Sequence, residues 1–231
     1  MPAPRSISRR HELREDKVVT FYARAWRFVD ANRKVVYGGA AALAVIAAVI
    51  VGNVFYQGRQ ASEAEVLLAQ VLPLYEEASY QQALDGSLEN LGLLEIADEY
   101  GSTPAGNLAR FYAADALFNL GEYDRALSYF EDFDKGPDFI GAGAIAGEAA
   151  AWEQREEYAR AGDLYRRAAR HFESELTTPE YLLHAGQLYE RAGQYEDALE
   201  QYEAVEAEYP ESSQAANIRV YIARATAKQS S

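Results

Sequence analysis

One phrase recurs along most of this 231-residue chain, and its recurrence restricts what the chain can fold into. It reads "GEYDRALSYFEDF" from Gly121, "EEYARAGDLYRRA" from Glu156 and "GQYEDALEQYEAV" from Gly193. Aligned on Tyr123, Tyr158 and Tyr195, the phrases place Ala126, Ala161 and Ala198 three residues on. Phe130, Tyr165 and Tyr202 follow at +7, and Phe133, Ala168 and Val205 at +10. These offsets stay on one face of an α-helix. A small residue at +3 lets a neighbouring backbone come close, and the aromatic at +7 fills the adjacent gap. A fainter copy begins at Tyr80 and Ala83, so the copies are 43, 35 and 37 residues apart.

Each phrase follows another helical run: "AGNLARFYAADALFNL", "GAGAIAGEAAAWEQR" and "PEYLLHAGQLYERA". Ala114, Ala149 and Gly186, each with Leu117, Trp152 or Tyr189 three residues later, form the facing surface. Gly121 and Gly193 supply the turn between runs, where a positive φ is often required. Thr103 and Thr178 are expected as helix N-caps with Pro104 and Pro179 at the first helical positions. Gln201, off the repeat's apolar face, is expected to point outward. The fold class is all-α, with helix–turn–helix units stacked side by side.

This pattern resembles the tetratricopeptide repeat. The resemblance is carried best by "YLLHAGQLYERAGQYEDALEQYEAVEAEYP", at Leu182, Ala185, Gly186, Tyr189, Tyr195, Ala198, Tyr202 and Pro210. It covers residues 62–228. It implies an α-solenoid of about four helix pairs within a domain 57–231, with Glu211–Lys228 as a capping helix.

A second feature precedes the repeats. Val35 to Tyr56, "VVYGGAAALAVIAAVIVGNVFY", contains no charged residue. As a helix it would reach roughly 33 Å, enough for a hydrocarbon core of ~30 Å. Tyr37, Phe55 and Tyr56 sit where aromatic residues favour the interface. A cleaved signal peptide would have a shorter apolar region and a small-x-small exit, whereas bulky residues surround this exit. The segment is expected to be an uncleaved transmembrane helix.

Charge gives it a direction. Residues 1–34 carry nine Lys/Arg against four Asp/Glu, a local +5, leaving −19 on the rest of a chain whose formal net charge is −14. The positive-inside rule then puts residues 1–34 in the cytoplasm and the acidic body across the membrane. Within that head, "ELREDKVVTFYARAWRFVD" has aromatic and basic stripes that suit an interfacial helix on anionic lipid. Small residues such as Gly38 and Ala42 recur within the span at a spacing that permits close helix approach.

With its anchor included, the chain resembles the bacterial single-span tetratricopeptide-like proteins exemplified by the ancillary subunit of the secretion translocon. "GLLEIADEYGSTPAGNLARFYAADALFNLGEYDRALSYF" is its most family-like stretch. The resemblance implies a bacterial inner-membrane location with a periplasmic body. It also implies translocon-associated proteins, periplasmic chaperones or client segments as partners.

Residues with catalytic or metal-binding patterns are scarce. The chain has no cysteine, which excludes disulfides, thiolate metal sites, a cysteine nucleophile and a cysteine-linked lipid anchor. An acidic body is the wrong surface for nucleic acid. "GAGAIAG", Gly141 to Gly147, has its third glycine one place late for a dinucleotide fingerprint and reads as close helix packing. His11, His171 and His184 lack metal-ligand spacing. Glu196, Glu200 and Glu203 read as a solvated face, and Arg166, Arg167 and Arg170 are expected to pair with Glu156, Glu157 and Glu173. No cofactor and no metal are expected.

The resemblance instead directs attention to the concave groove, lined by the first helix of each unit. Its positions here are Phe111, Asp115, Phe118 and Asn119, then Ala146, Ala150, Glu153 and Gln154, then Leu183, Gln187, Glu190 and Arg191. The carboxylate clamp of the chaperone-binding subfamily is missing, because Phe111, Ala146 and Leu183 stand at its Lys and Asn places. A mixed apolar and amide groove suits extended or helical partner segments. The expected function is a non-enzymatic, membrane-anchored scaffold or chaperone-like adaptor. An envelope-assembly or division scaffold is the alternative, and a hydrolase on an α-solenoid a more distant one.

Overall fold

A computed structural model describes residues 21–230. Apart from one isolated bridge between Gly86 and Leu91, the regular structure of these residues is helical. The chain divides into two compact units at Gln57/Gly58.

In the first unit, residues 21–31 are helical, and helix α1 (Arg33–Glu76) carries the apolar segment. By length and composition this helix is long and apolar enough to cross a membrane, and its most apolar 18-residue stretch has no buried residue. Phe21, Tyr22, Trp26 and Phe28 are likewise exposed. Residues 12–20 of the expected interfacial helix lie outside the described residues.

The second unit contains the remainder of α1, then α2 (Tyr80–Asp85), α3 (Leu93–Glu99), α4 (Pro104–Asn119) and α5 (Tyr123–Asp132). It continues with α6 (Phe139–Gln154), α7 (Tyr158–His171), α8 (Thr178–Arg191), α9 (Tyr195–Glu208) and α10 (Ile218–Gln229). The pairs α4/α5, α6/α7 and α8/α9 are the three clear repeat units, and each packs on the next.

The turns reveal the register. Ala78, Gly121, Glu156 and Gly193 all have positive φ, between 57° and 80°. Each lies two residues before the first tyrosine of a phrase. Each also closes a helix through the paired hydrogen bonds of a Schellman turn. At Gly121, its own N–H donates to the Phe118 carbonyl (3.0 Å) and that of Glu122 to Leu117 (2.9 Å). Glu156 and Glu157 donate in the same way to Glu153 and Trp152, at 2.9 and 3.1 Å.

Packing follows the small/aromatic alternation. Ala126, Ala161 and Ala198 are fully buried. A Cβ added to Gly186 would strike the ring of Tyr202, and one added to Gly147 the ring of Phe130. The "GAGAIAG" glycines are therefore close-packing residues at Gly147 and also at Gly141, where a Cβ would run into the Gly136 carbonyl.

The faint first copy is a short one, and three expectations need correction. The copy at Tyr80 and Ala83 stops after six residues, because Gly86 (φ 74°) and Ser87 occupy the place where other units continue to their +7 aromatic. The loop 86–92 accounts for the long first interval. Leu93, Ile96 and Ala97 of α3 then supply the missing buried face. Thr103 caps α4, accepting from the Gly106 N–H at 3.0 Å, but α8 begins at Thr178 with Thr177 at its N-cap. Thr178 instead accepts from the Ser174 N–H at 2.8 Å. The capping helix starts at Ile218 rather than Glu211, after a 3₁₀ turn at Ala215–Asn217. Gln201 is buried, not outward, with its amide donating to the Asp197 carbonyl at 3.3 Å.

Candidate protein-binding groove

The first helices of successive units are neighbours. Gly143 on α6 faces the Phe111 ring on α4. Arg191 on α8 reaches back to Glu153 on α6 at 2.6 Å, and Arg224 on α10 is ion-paired with Glu190 on α8. Their outward side chains consequently form one continuous strip.

The expected groove residues divide into two groups along that strip. Phe111 belongs largely to the packing, half-buried with its ring 5.7–6.1 Å from those of Tyr112, Phe130 and Phe133. Ala146 and Glu190 are also buried. Asp115, Phe118, Leu183 and Gln187 are half-buried, and Asn119, Gln154 and Arg191 are exposed. Phe118 lies edge-on to Tyr123 at 5.2 Å. The strip therefore offers two apolar side chains among amides and charges.

At the N-terminal end, the Tyr75 hydroxyl donates to Asp115 Oδ2 at 2.6 Å, and Asn119 Nδ2 donates to the same oxygen at 3.0 Å. Burial, followed by this carboxylate, pushes the Tyr75 phenol well above its ordinary value. At the C-terminal end, Glu190 accepts from the Tyr202 hydroxyl (2.9 Å) and Arg224 Nε (3.0 Å), with Lys228 Nζ 3.8 Å away. Burial alone would raise its pKa. The hydrogen bonds from Arg224 and Tyr202 outweigh burial and hold it below the usual carboxylate value. A cavity of about 470 Å³ opens there, lined by Gln187, Glu190, Arg191, Tyr221, Arg224 and Lys228.

Tyr221, Arg224 and Lys228 were not among the expected groove residues. Their i, i+3 and i+7 spacing on a C-terminal basic helix was the available signal. The arginine island pairs differently from expectation. Arg166 bonds Asp163 at 2.8 Å, and Arg167 reaches buried Glu148 at 3.3 Å, beside Lys135 at 2.9 Å from the same carboxylate. Glu156 is instead fixed in the turn by its backbone. A second cavity, of about 540 Å³, lies between Thr103, Asn107, Asp134 and Asp138. Three of its polar side chains are engaged locally: Thr103 and Asp138 cap helices, while Asn107 exchanges two hydrogen bonds with the Asp134 backbone at 2.9 and 3.0 Å.

Among known families, the tetratricopeptide repeat model matches residues 108–135 and 180–212, which fall in α4/α5 and α8/α9. The pair between them, α6/α7, keeps the same turn and the same small/aromatic register. No curated protein compared with the chain matches it. The two matched stretches of the body carry tetratricopeptide repeats, units that generally mediate protein–protein interaction.

Proposed function

We propose that this chain is a membrane-anchored scaffold or chaperone-like adaptor of the bacterial cell envelope, acting at the secretion translocon. Its repeat body captures segments of other proteins in the strip formed by α4, α6, α8 and α10. The observation that carries this reading is the continuity of that strip, in which accessible Phe118 and Leu183 alternate with Asn119, Gln154 and Gln187. Half-buried apolar groups flanked by the exposed or half-buried amides of Gln154 and Gln187 suit a peptide that supplies side-chain anchors and backbone hydrogen bonds. The residues proposed to contact it are Asp115, Phe118, Asn119, Gln154, Leu183, Gln187 and Arg191, with Phe111 supporting them from below.

The basic head and the apolar, unburied helix support a cytoplasmic N-terminus and a periplasmic body. A reporter fused after Ser231 that works only when exported should then be active. For the groove, Phe118→Ala and Leu183→Ala should each weaken partner capture from detergent-solubilised membranes by ~1 kcal/mol or more. Circular dichroism must show both variants folded. If both retain every partner while removal of residues 1–56 loses them all, recognition resides in the anchor.

A further inference from the structure

Building on the groove as the protein-binding face, we propose that it is electrically polarised. It selects an extended segment with Lys or Arg at one end and Asp or Glu several residues away. The two ends of the strip differ in what they present to a ligand. At the α8/α10 end the cations lie outermost. The side chains of Arg191, Arg224 and Lys228 are 50%, 47% and 50% exposed, while their partners Glu153 and Glu190 are 27% and 5% exposed. An incoming segment meets two guanidinium groups and an ammonium, with the neutralising carboxylates behind them. Such a patch stands out in a body whose formal charge outside residues 1–34 is −19.

The α4 end is the reverse. Asp115 accepts hydrogen bonds from Tyr75 and Asn119, both neutral donors, and forms no ion pair among the described residues. The Tyr75 and Tyr112 rings stand beside it, 4.8 Å apart. A half-buried carboxylate next to aromatic faces suits a guanidinium or ammonium group.

Spacing sets the length of the segment. Neighbouring packed helices lie ~8–10 Å apart, so two to three steps from α4 to α8 or α10 span roughly 16–30 Å. An extended chain rising ~3.3 Å per residue covers that in about five to nine residues. The occupant is therefore an extended peptide with opposite charges at that separation. Uniformly acidic or basic segments meet a like charge at one end, and complementarity of this kind sets specificity and encounter rate.

The test is selection of a phage-displayed random twelve-residue peptide library on the immobilised full-length chain in detergent. Enriched peptides should carry Lys or Arg separated from Asp or Glu by five to nine residues. Asp115→Asn, which keeps the acceptor for Tyr75, should lower the preference for the basic residue about threefold or more and spare the acidic one. Lys228→Glu, which leaves the Arg224–Glu190 pair in place, should do the opposite. Enriched peptides without paired charges, or with a basic preference untouched by Asp115→Asn, would overturn the polarity while leaving the groove reading standing. If a Phe118→Ala, Leu183→Ala double variant holds the enriched peptides as tightly, or no peptide is enriched, the groove reading falls and the polarity with it.

Discussion

Gly186 is where the repeat packing is tightest in the best-matching unit, and replacing it with alanine gives a sharp test of register. A Cβ there would lie 2.7 Å from Tyr202 Cδ1 and 2.9 Å from Cζ, and closer still to Cε1. Tyr202 is fully buried, and its hydroxyl donates to Glu190 at 2.9 Å, so the ring cannot retreat without straining that bond. Overpacking of this kind costs ~1–3 kcal/mol, and weakening a hydrogen bond to a charged acceptor ~1.5–3 kcal/mol. Alanine's better helix propensity returns about 1 kcal/mol. The net loss is about 2–5 kcal/mol, which for a body of this size lowers Tm by roughly 4–20 °C. Gly143→Ala is the control. Its Cβ would meet the Phe111 ring at 3.8 Å, ordinary contact distance, so propensity alone acts and Tm should rise by ~2–4 °C. Thermal melts followed by circular dichroism at 222 nm read both. Shifts in the same direction would refute the assignment of Gly186 to the close-contact position.

Three other outcomes follow from the same structure. Glu156→Gly and Ala78→Gly should each stabilise by ~0.5–1 kcal/mol, because both residues sit at left-handed φ, whereas Gly121→Ala should cost ~1–2 kcal/mol by denaturant titration. Glu190→Gln should cost ~1–3 kcal/mol by removing the charge and one of the two acceptor oxygens that Arg224 and Tyr202 bond. Because Glu190 has a depressed folded pKa, its contribution is complete above the ordinary value of 4.5 and drains as pH falls through the folded value. Melting temperature should fall at acid pH, less steeply in the Gln variant. Burial raises the pKa values of Tyr75, Tyr165, Tyr189 and Tyr202 above the ordinary 10.0, so the stability tied to them is present below 10 and lost at higher pH. In an alkaline absorbance titration these four should ionise only as helical signal is lost.

Much of the architecture is legible in the sequence because its determinants are steric and local. The +3 and +7 positions say which face packs, and Gly121 and Gly193 say where the chain turns. Glu156 and Ala78 make the same turn without glycine, so only alignment to the other phrases exposes them. The split at residues 86–92 follows from Gly86 and Ser87, visible once the missing aromatic is noticed. Gln201 misled because its burial depends on the packing of neighbouring helices, which a single helix's periodicity does not encode. The charged end of the groove was hidden for a related reason. Arg224 and Glu190 are 34 residues apart, and Arg191 and Glu153 are 38. Such pairs form only once helices pack, so local charge proximity suggested the wrong partner for Arg167 as well, whereas Arg166 pairs with Asp163 three residues back on its own helix.

The proposed capture surface for other proteins is the strip on α4, α6, α8 and α10. A photo-crosslinking amino acid placed singly at Asn119, Gln154 or Gln187, then irradiated in intact cells, tests it most directly. Glu203, exposed on α9, is the outer-face comparison, and Val45 represents the apolar segment. The three groove positions should yield the same discrete adducts and Glu203 none of them. Adducts confined to Val45, with the groove positions silent, would overturn the assignment and transfer recognition to the apolar segment.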